Sequence, residues 1–117
     1  GSMEFACRIA NSKLIVVLGH TECGAIIGAC NDVKTDYVKG LTDKIKPAIR
    51  AEKTIIKNRN GDNSDFVNKV AVIHVNQTIS QIRAKSVILR QMETTGRMSI
   101  AGALYDINTG AVSFIDK

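Results

Sequence analysis

Thirteen residues, Lys13 to Ala25, constrain this chain more than any others: KLIVVLGHTECGA. Lys13 to Leu18 forms an apolar run of the kind seen in strands buried on both faces of a parallel sheet. A parallel sheet needs helical crossovers, so the run predicts an α/β domain. The next residues put His20 and Cys23 at the mouth of that strand, with Gly19 and Gly24 allowing tight backbone turns. Imidazole nitrogen and thiolate sulfur are both zinc donors, and zinc takes three or four protein ligands. A thiolate at the first turn of the following helix is favoured by the helix dipole. The spacing therefore supplies two donors, and the remaining ones have to be sought elsewhere.

Composition narrows the function classes. The chain has 117 residues, enough for one core, and 44% of them are hydrophobic. A net charge of +5 comes from sixteen scattered Lys and Arg residues, and only three Phe and two Tyr are present for base stacking. That pattern argues against a nucleic-acid partner. No apolar stretch reaches the ~20 residues needed to span a bilayer, which argues against a membrane partner. Three cysteines, Cys7, Cys23 and Cys30, are too few and odd in number for a disulfide framework, so reduced thiols and a cytoplasmic location are expected. No signal peptide is evident, though one could precede this segment. The opening Gly1-Ser2-Met3 matches the scar left by tag cleavage.

Along the chain, MEFACRIA has helical spacing at Phe5, Ala6, Ile9 and Ala10, closed by Asn11-Ser12. CGAIIGAC predicts a short helix, and 32–39 a polar loop. Leu41, Ile45, Ile49, Ile55 and Ile56 predict one longer helix bent at Pro47. KNRNGDNSD is a turn. VAVIHV resembles a strand, but Phe66, Val67, Ala71, Val75, Ile79 and Ile82 recur at three or four residues, which predicts helix from Asn63 onward. A second short helix ends at Gly96. MSIAGALYDINTGAVSFID then predicts a β-hairpin around DINTG. One strand before a long helical stretch is too little sheet for a whole α/β domain, so residues 1–117 form a single partial domain.

These segments together resemble the β-class carbonic anhydrases. KLIVVLGHTECGAIIGAC is similar to the zinc-binding segment of that family. MEFA and LTDKIKPAI resemble the helices on either side, and SVILRQMETTGRMSIAGALYDINTGAVSFI resembles the C-terminal segment. The resemblance covers essentially the whole chain, in order. It implies a truncated form of the family fold: a mostly parallel sheet flanked by helices, with a C-terminal β-hairpin. It implies zinc as cofactor, His20 and Cys23 as metal ligands, and reversible hydration of carbon dioxide to bicarbonate in the parent protein. The family's remaining Cys, and the Asp–Arg pair beside it, lie in a C-x-D-S-R motif that this sequence lacks. No catalytic residue is therefore carried over, and activity of this chain is expected to be impaired.

The lone edge of Lys13 to Leu18 predicts a homo-oligomer, a dimer or higher and in one form a swapped one. Two alternatives stay open: a non-catalytic oligomerising fragment, and a carbon disulfide or carbonyl sulfide hydrolase on the same fold. Cys7 is expected on a helix face and Cys30 in the core, neither as a ligand. His74 is expected to face solvent or be capped. Asp32, Asp36 and Asp43 read as a solvated loop region, Glu22 as surface, and Asp106, after Tyr105, as the organiser of a turn.

Overall fold

The fold was obtained as a computed structural model, and the structure describes residues 1–115. Helix α1 (Ser2–Glu4) runs into a π-helical turn (Phe5–Ile9). Strand β1 (Leu14–His20) follows, then α2 (Gly24–Cys30), α3 (Val38–Ala51), α4 (Ser64–Lys85), α5 (Val87–Thr94), β2 (Ser99–Tyr105) and β3 (Val112–Ile115). The expected hairpin forms from β2 and β3; its last expected residue, Asp116, lies outside the described residues. The sheet order is β1-β2-β3. β1 pairs parallel with β2, from Leu14 opposite Ser99 to His20 opposite Tyr105, and β2 pairs antiparallel with β3. The sheet is thus mixed: the parallel β1–β2 ladder is the longer, and the antiparallel β2–β3 pairing is the expected C-terminal hairpin. β1 is an edge strand.

Helix α4 organises the molecule. Asn63 caps it, its side-chain oxygen accepting from the Phe66 N–H at 3.3 Å. Its first half packs with α2 and α3 through Phe66, Val67, Val70 and Ala71 against Ile26, Ala29, Ile45 and Ala48. Its second half, through Val75, Ile79 and Ile82, joins Cys7, Leu89, Met92, Met98 and Ile100. Each fully buried Phe, Ile or Leu side chain contributes roughly 1.5–3 kcal/mol. Two glycines let the helix approach the sheet. A Cβ at Gly19 would stand 2.8 Å from a Val75 methyl, and one at Gly102 would stand 2.8 Å from the other Val75 methyl. Ser86 separates α4 from α5: its hydroxyl accepts from the Leu89 N–H and donates to the Glu4 carboxylate.

Three expectations need correction here. The single helix reaching Ile55 and Ile56 stops at Ala51, because the buried Glu52 carboxylate accepts from the backbone N–H groups of Thr54 and Ile55, each at 2.9 Å, and pulls the chain out of helical register. The N-terminal helix is real but tightens into α1 only briefly; the Ala10 N–H reaches back to the Phe5 carbonyl, a five-residue π spacing. Strand β1 is not buried on both faces. Ile15, Val17 and Gly19 turn toward α4, while Leu14, Val16 and Leu18 stay 53%, 41% and 54% exposed. Phe114, in register with Ala103 and Leu18 on that open face, is 65% exposed.

Candidate metal centre

Strand β1, which carries His20, ends where α4 passes from one core cluster to the other. At that point a cleft of about 230 Å³ opens beside the free edge of β1. Val17, Leu18, Gly19 and His20 form one wall, Cys23 and Ile26 the end, and Ala71, His74, Val75 and Thr78 the opposite wall. The sequence-predicted pair, His20 and Cys23, therefore shares one cleft.

Local bonding fixes this corner. The Thr21 N–H donates to the Tyr105 carbonyl at 3.0 Å, and the Ile107 N–H donates to the Thr21 hydroxyl at 3.1 Å. Thr21 is 9% exposed, so the loop after β1 is bolted to the end of the hairpin. Glu22 takes the left-handed region, φ 53°, to turn the chain into α2, and its side chain is exposed, as expected. Cys23 is the residue immediately before α2, half-buried, with its carbonyl accepting from the Ile27 N–H at 2.9 Å.

The His20 tautomer follows from its partner. Its Nδ1 lies 2.9 Å from the Thr21 carbonyl oxygen, which can only accept. Nδ1 therefore carries the proton, and the lone pair is on Nε2. This is the arrangement by which metal-binding histidines are oriented. His20 is exposed and Cys23 is a free thiol. A nitrogen lone pair and a thiol are the donor chemistry zinc uses, so the two residues fit it. They are only two. Among the described residues, no group of three or more His, Cys, Asp or Glu side chains is gathered closely enough to hold a metal ion.

His74 was missed by sequence reasoning. It neither faces open solvent nor is capped. It is half-buried in the cleft wall, its Nδ1 buried with no hydrogen-bond partner, and burial holds its imidazole below the usual histidine pKa. The usable signal was its place one residue before Val75 and three after Ala71, the stripe of α4 that faces β1. Cys7 is in the core, 1% exposed, and Cys30 lies at the end of α2 outside the cleft, its thiol pKa raised by burial. Asp32 and Asp43 are away from the cleft in an exposed ion-pair group with Lys34, Lys39 and Lys46. Asp36 also lies outside it. Asp106 organises the hairpin turn by accepting from the Asn108 and Thr109 N–H groups.

Comparison with known proteins gives a consistent result. Residues 1–112 match the family model described as carbonic anhydrase. Carbonic anhydrase 2 of Mycobacterium tuberculosis is 30% identical over 115 residues, which cover 94% of this chain and 52% of that protein. A carbonic anhydrase of Mycolicibacterium smegmatis is 28% identical, covering 96% of this chain and 53% of that protein. The chain thus spans about half the length of these curated relatives. Among solved structures, tetrameric β-carbonic anhydrases of Sordaria macrospora align with a TM-score of 0.81 at 20% identity, over 98% of this chain and 58% of theirs. A Coccomyxa β-carbonic anhydrase in complex with acetazolamide also reaches 0.81, at 19% identity, over 98% of this chain and 52% of that one.

Proposed function

Since the chain belongs to the carbonic anhydrase family, with the β-class fold, we propose that it carries one half of a zinc site for the interconversion of carbon dioxide and bicarbonate. We propose also that, with this half alone, its turnover is impaired. The observation that carries the reading is the orientation of His20: Nδ1–H held by the Thr21 carbonyl, Nε2 free, beside Cys23 in one cleft. When bound, zinc supplies Lewis acidity that brings the ionisation of water down toward neutral pH.

The chain's own residues do the rest. His20 would offer Nε2 and Cys23 its thiolate, after loss of one proton to solvent. Val17, Leu18, Ala71 and Val75 give the cleft an apolar lining suited to a small uncharged substrate such as carbon dioxide. His74, kept neutral by burial, adds a polar group to the wall without adding charge. Two protein donors fall short of the three that open zinc sites use, and this shortfall is the reason for expecting impaired turnover.

Self-association belongs to the same reading, since the β1 edge is unpaired and the adjoining sheet face is apolar and exposed. The compartment proposed is the cytoplasm, where Cys7, Cys23 and Cys30 would stay as the free thiols seen here. Among the described residues no helix is long and apolar enough to cross a membrane. The test is carbon dioxide hydration by the zinc-loaded chain beside its His20→Ala variant. Equal, near-background rates are expected. Rapid hydration that His20→Ala abolishes would contradict the proposed impairment.

A further inference from the structure

We propose that Asn60–Gly61 is a latent deamidation site, restrained by the Asn31 side chain at the end of helix α2. Asn60 is the only Asn in the sequence that a Gly follows. With no Cβ on that following residue, its backbone nitrogen meets little obstruction on the way to the Asn side chain. The chemistry needs only water. After losing its proton, the Gly61 nitrogen attacks Cγ of Asn60; the N–Cγ bond forms, the Cγ–Nδ2 bond breaks and ammonia leaves. Water then opens the succinimide ring at either carbonyl, leaving Asp or isoaspartate at position 60.

Packing explains why glycine stands there. A Cβ at position 61 would lie 2.5 Å from Asn31 Nδ2 and 2.7 Å from an Ile27 methyl. The turn needs its glycine to dock on α2, and the same glycine creates the labile dipeptide.

The fold ties down both reacting groups. The Gly61 N–H donates to Asn31 Oδ1 at 2.8 Å, so the attacking nitrogen keeps its proton and its direction. Asn60 Oδ1 accepts from the Asp62 N–H at 3.0 Å, an Asx-turn that fixes the carbonyl under attack. Asn31 is itself placed by α2, its N–H donating to the Ile27 carbonyl at 3.0 Å. The product would act on α4. The Asn60 carbonyl accepts from the N–H of Asn63, the residue that caps this helix. Isoaspartate would add a backbone carbon inside that turn, and either product puts a carboxylate where a neutral amide was.

The experiment is prolonged incubation at mildly alkaline pH, read by peptide mapping for the deamidation mass gain at Asn60 and by isoaspartyl methyltransferase labelling. The parent is followed folded and in denaturant, beside Asn31→Ala and Asn31→Asp, with circular dichroism checking that each variant is folded. The folded parent should react more slowly than the denatured chain. Folded Asn31→Ala should react roughly two- to tenfold faster than the folded parent, the range that one hydrogen bond of this kind allows. Asn31→Asp, which keeps an acceptor oxygen, should stay near the parent. Should Asn31→Ala fail to fold, hydrogen exchange at the Gly61 amide of the parent decides: protection upholds the restraint and free exchange overturns it. A folded parent as reactive as the denatured chain, or a folded Asn31→Ala no faster than the parent, would overturn it. So would Asn31→Asp reacting as fast as Asn31→Ala. No reaction at Asn60 even in denaturant would remove the site itself.

Discussion

The two faces of β1 differ sharply. Toward α4, Ile15, Val17 and Gly19 meet a helix close enough that Val75 would collide with any side chain at position 19. On the other face, Leu14, Val16 and Leu18 are apolar and nevertheless exposed. The same strand thus joins the packed core on one side and presents an exposed apolar surface on the other. The covered face belongs to the core; the open face and edge end at His20 and Cys23, the pair proposed to hold zinc.

Substitutions on the two faces test that division. The largest effect is expected on the covered side: Ile79→Ala, at a site 2% exposed, should cost about 2–5 kcal/mol in denaturant unfolding. Next, Gly19→Ala should cost about 1–3 kcal/mol by overpacking against Val75. Gly24→Ala, with nothing within 4 Å of the added carbon, serves as its control. Little loss at Gly19 would mean that α4 is not held as tightly against β1 as the geometry requires.

A smaller effect concerns the cleft between the two regimes. Burial lowers the His74 pKa, so the folded chain binds fewer protons there than the unfolded chain does. The stability linked to His74 is fully present above the ordinary imidazole value of about 6.5 and is lost as pH falls from there through the lowered folded value. The parent should therefore lose stability relative to His74→Gln on acidification across that window. Parallel pH profiles would place His74 in solvent. Smallest in stability is Leu18→Lys on the open face, expected to lie within about 0.5 kcal/mol of the parent. Its visible effect should be weaker self-association in sedimentation velocity.

Local pattern made some of this legible and not the rest. α4 could be read through its β-branched stretch because the Phe66, Ala71, Val75, Ile79 and Ile82 stripe holds the helical period across the whole element. The hairpin was equally readable, since Asp106 and Gly110 mark its turn in sequence. The end of α3 was not. Ile55 and Ile56 continue the apolar pattern, and only the capture of the Thr54 and Ile55 N–H groups by Glu52 stops the helix. Nor could the run of β1 tell one covered face from two, because burial depends on what is laid against the strand. The site was half readable: His20 and Cys23 are close in sequence, whereas His74 joins them only through the docking of α4 on β1.

The most direct test of His20 and Cys23 as paired zinc donors is zinc K-edge X-ray absorption on the zinc-loaded chain. Equal numbers of sulfur and nitrogen neighbours are predicted, at about 2.3 and 2.0 Å, with the sulfur lost in Cys23→Ser. A shell of oxygens, or a sulfur signal unchanged in that variant, would contradict the assignment.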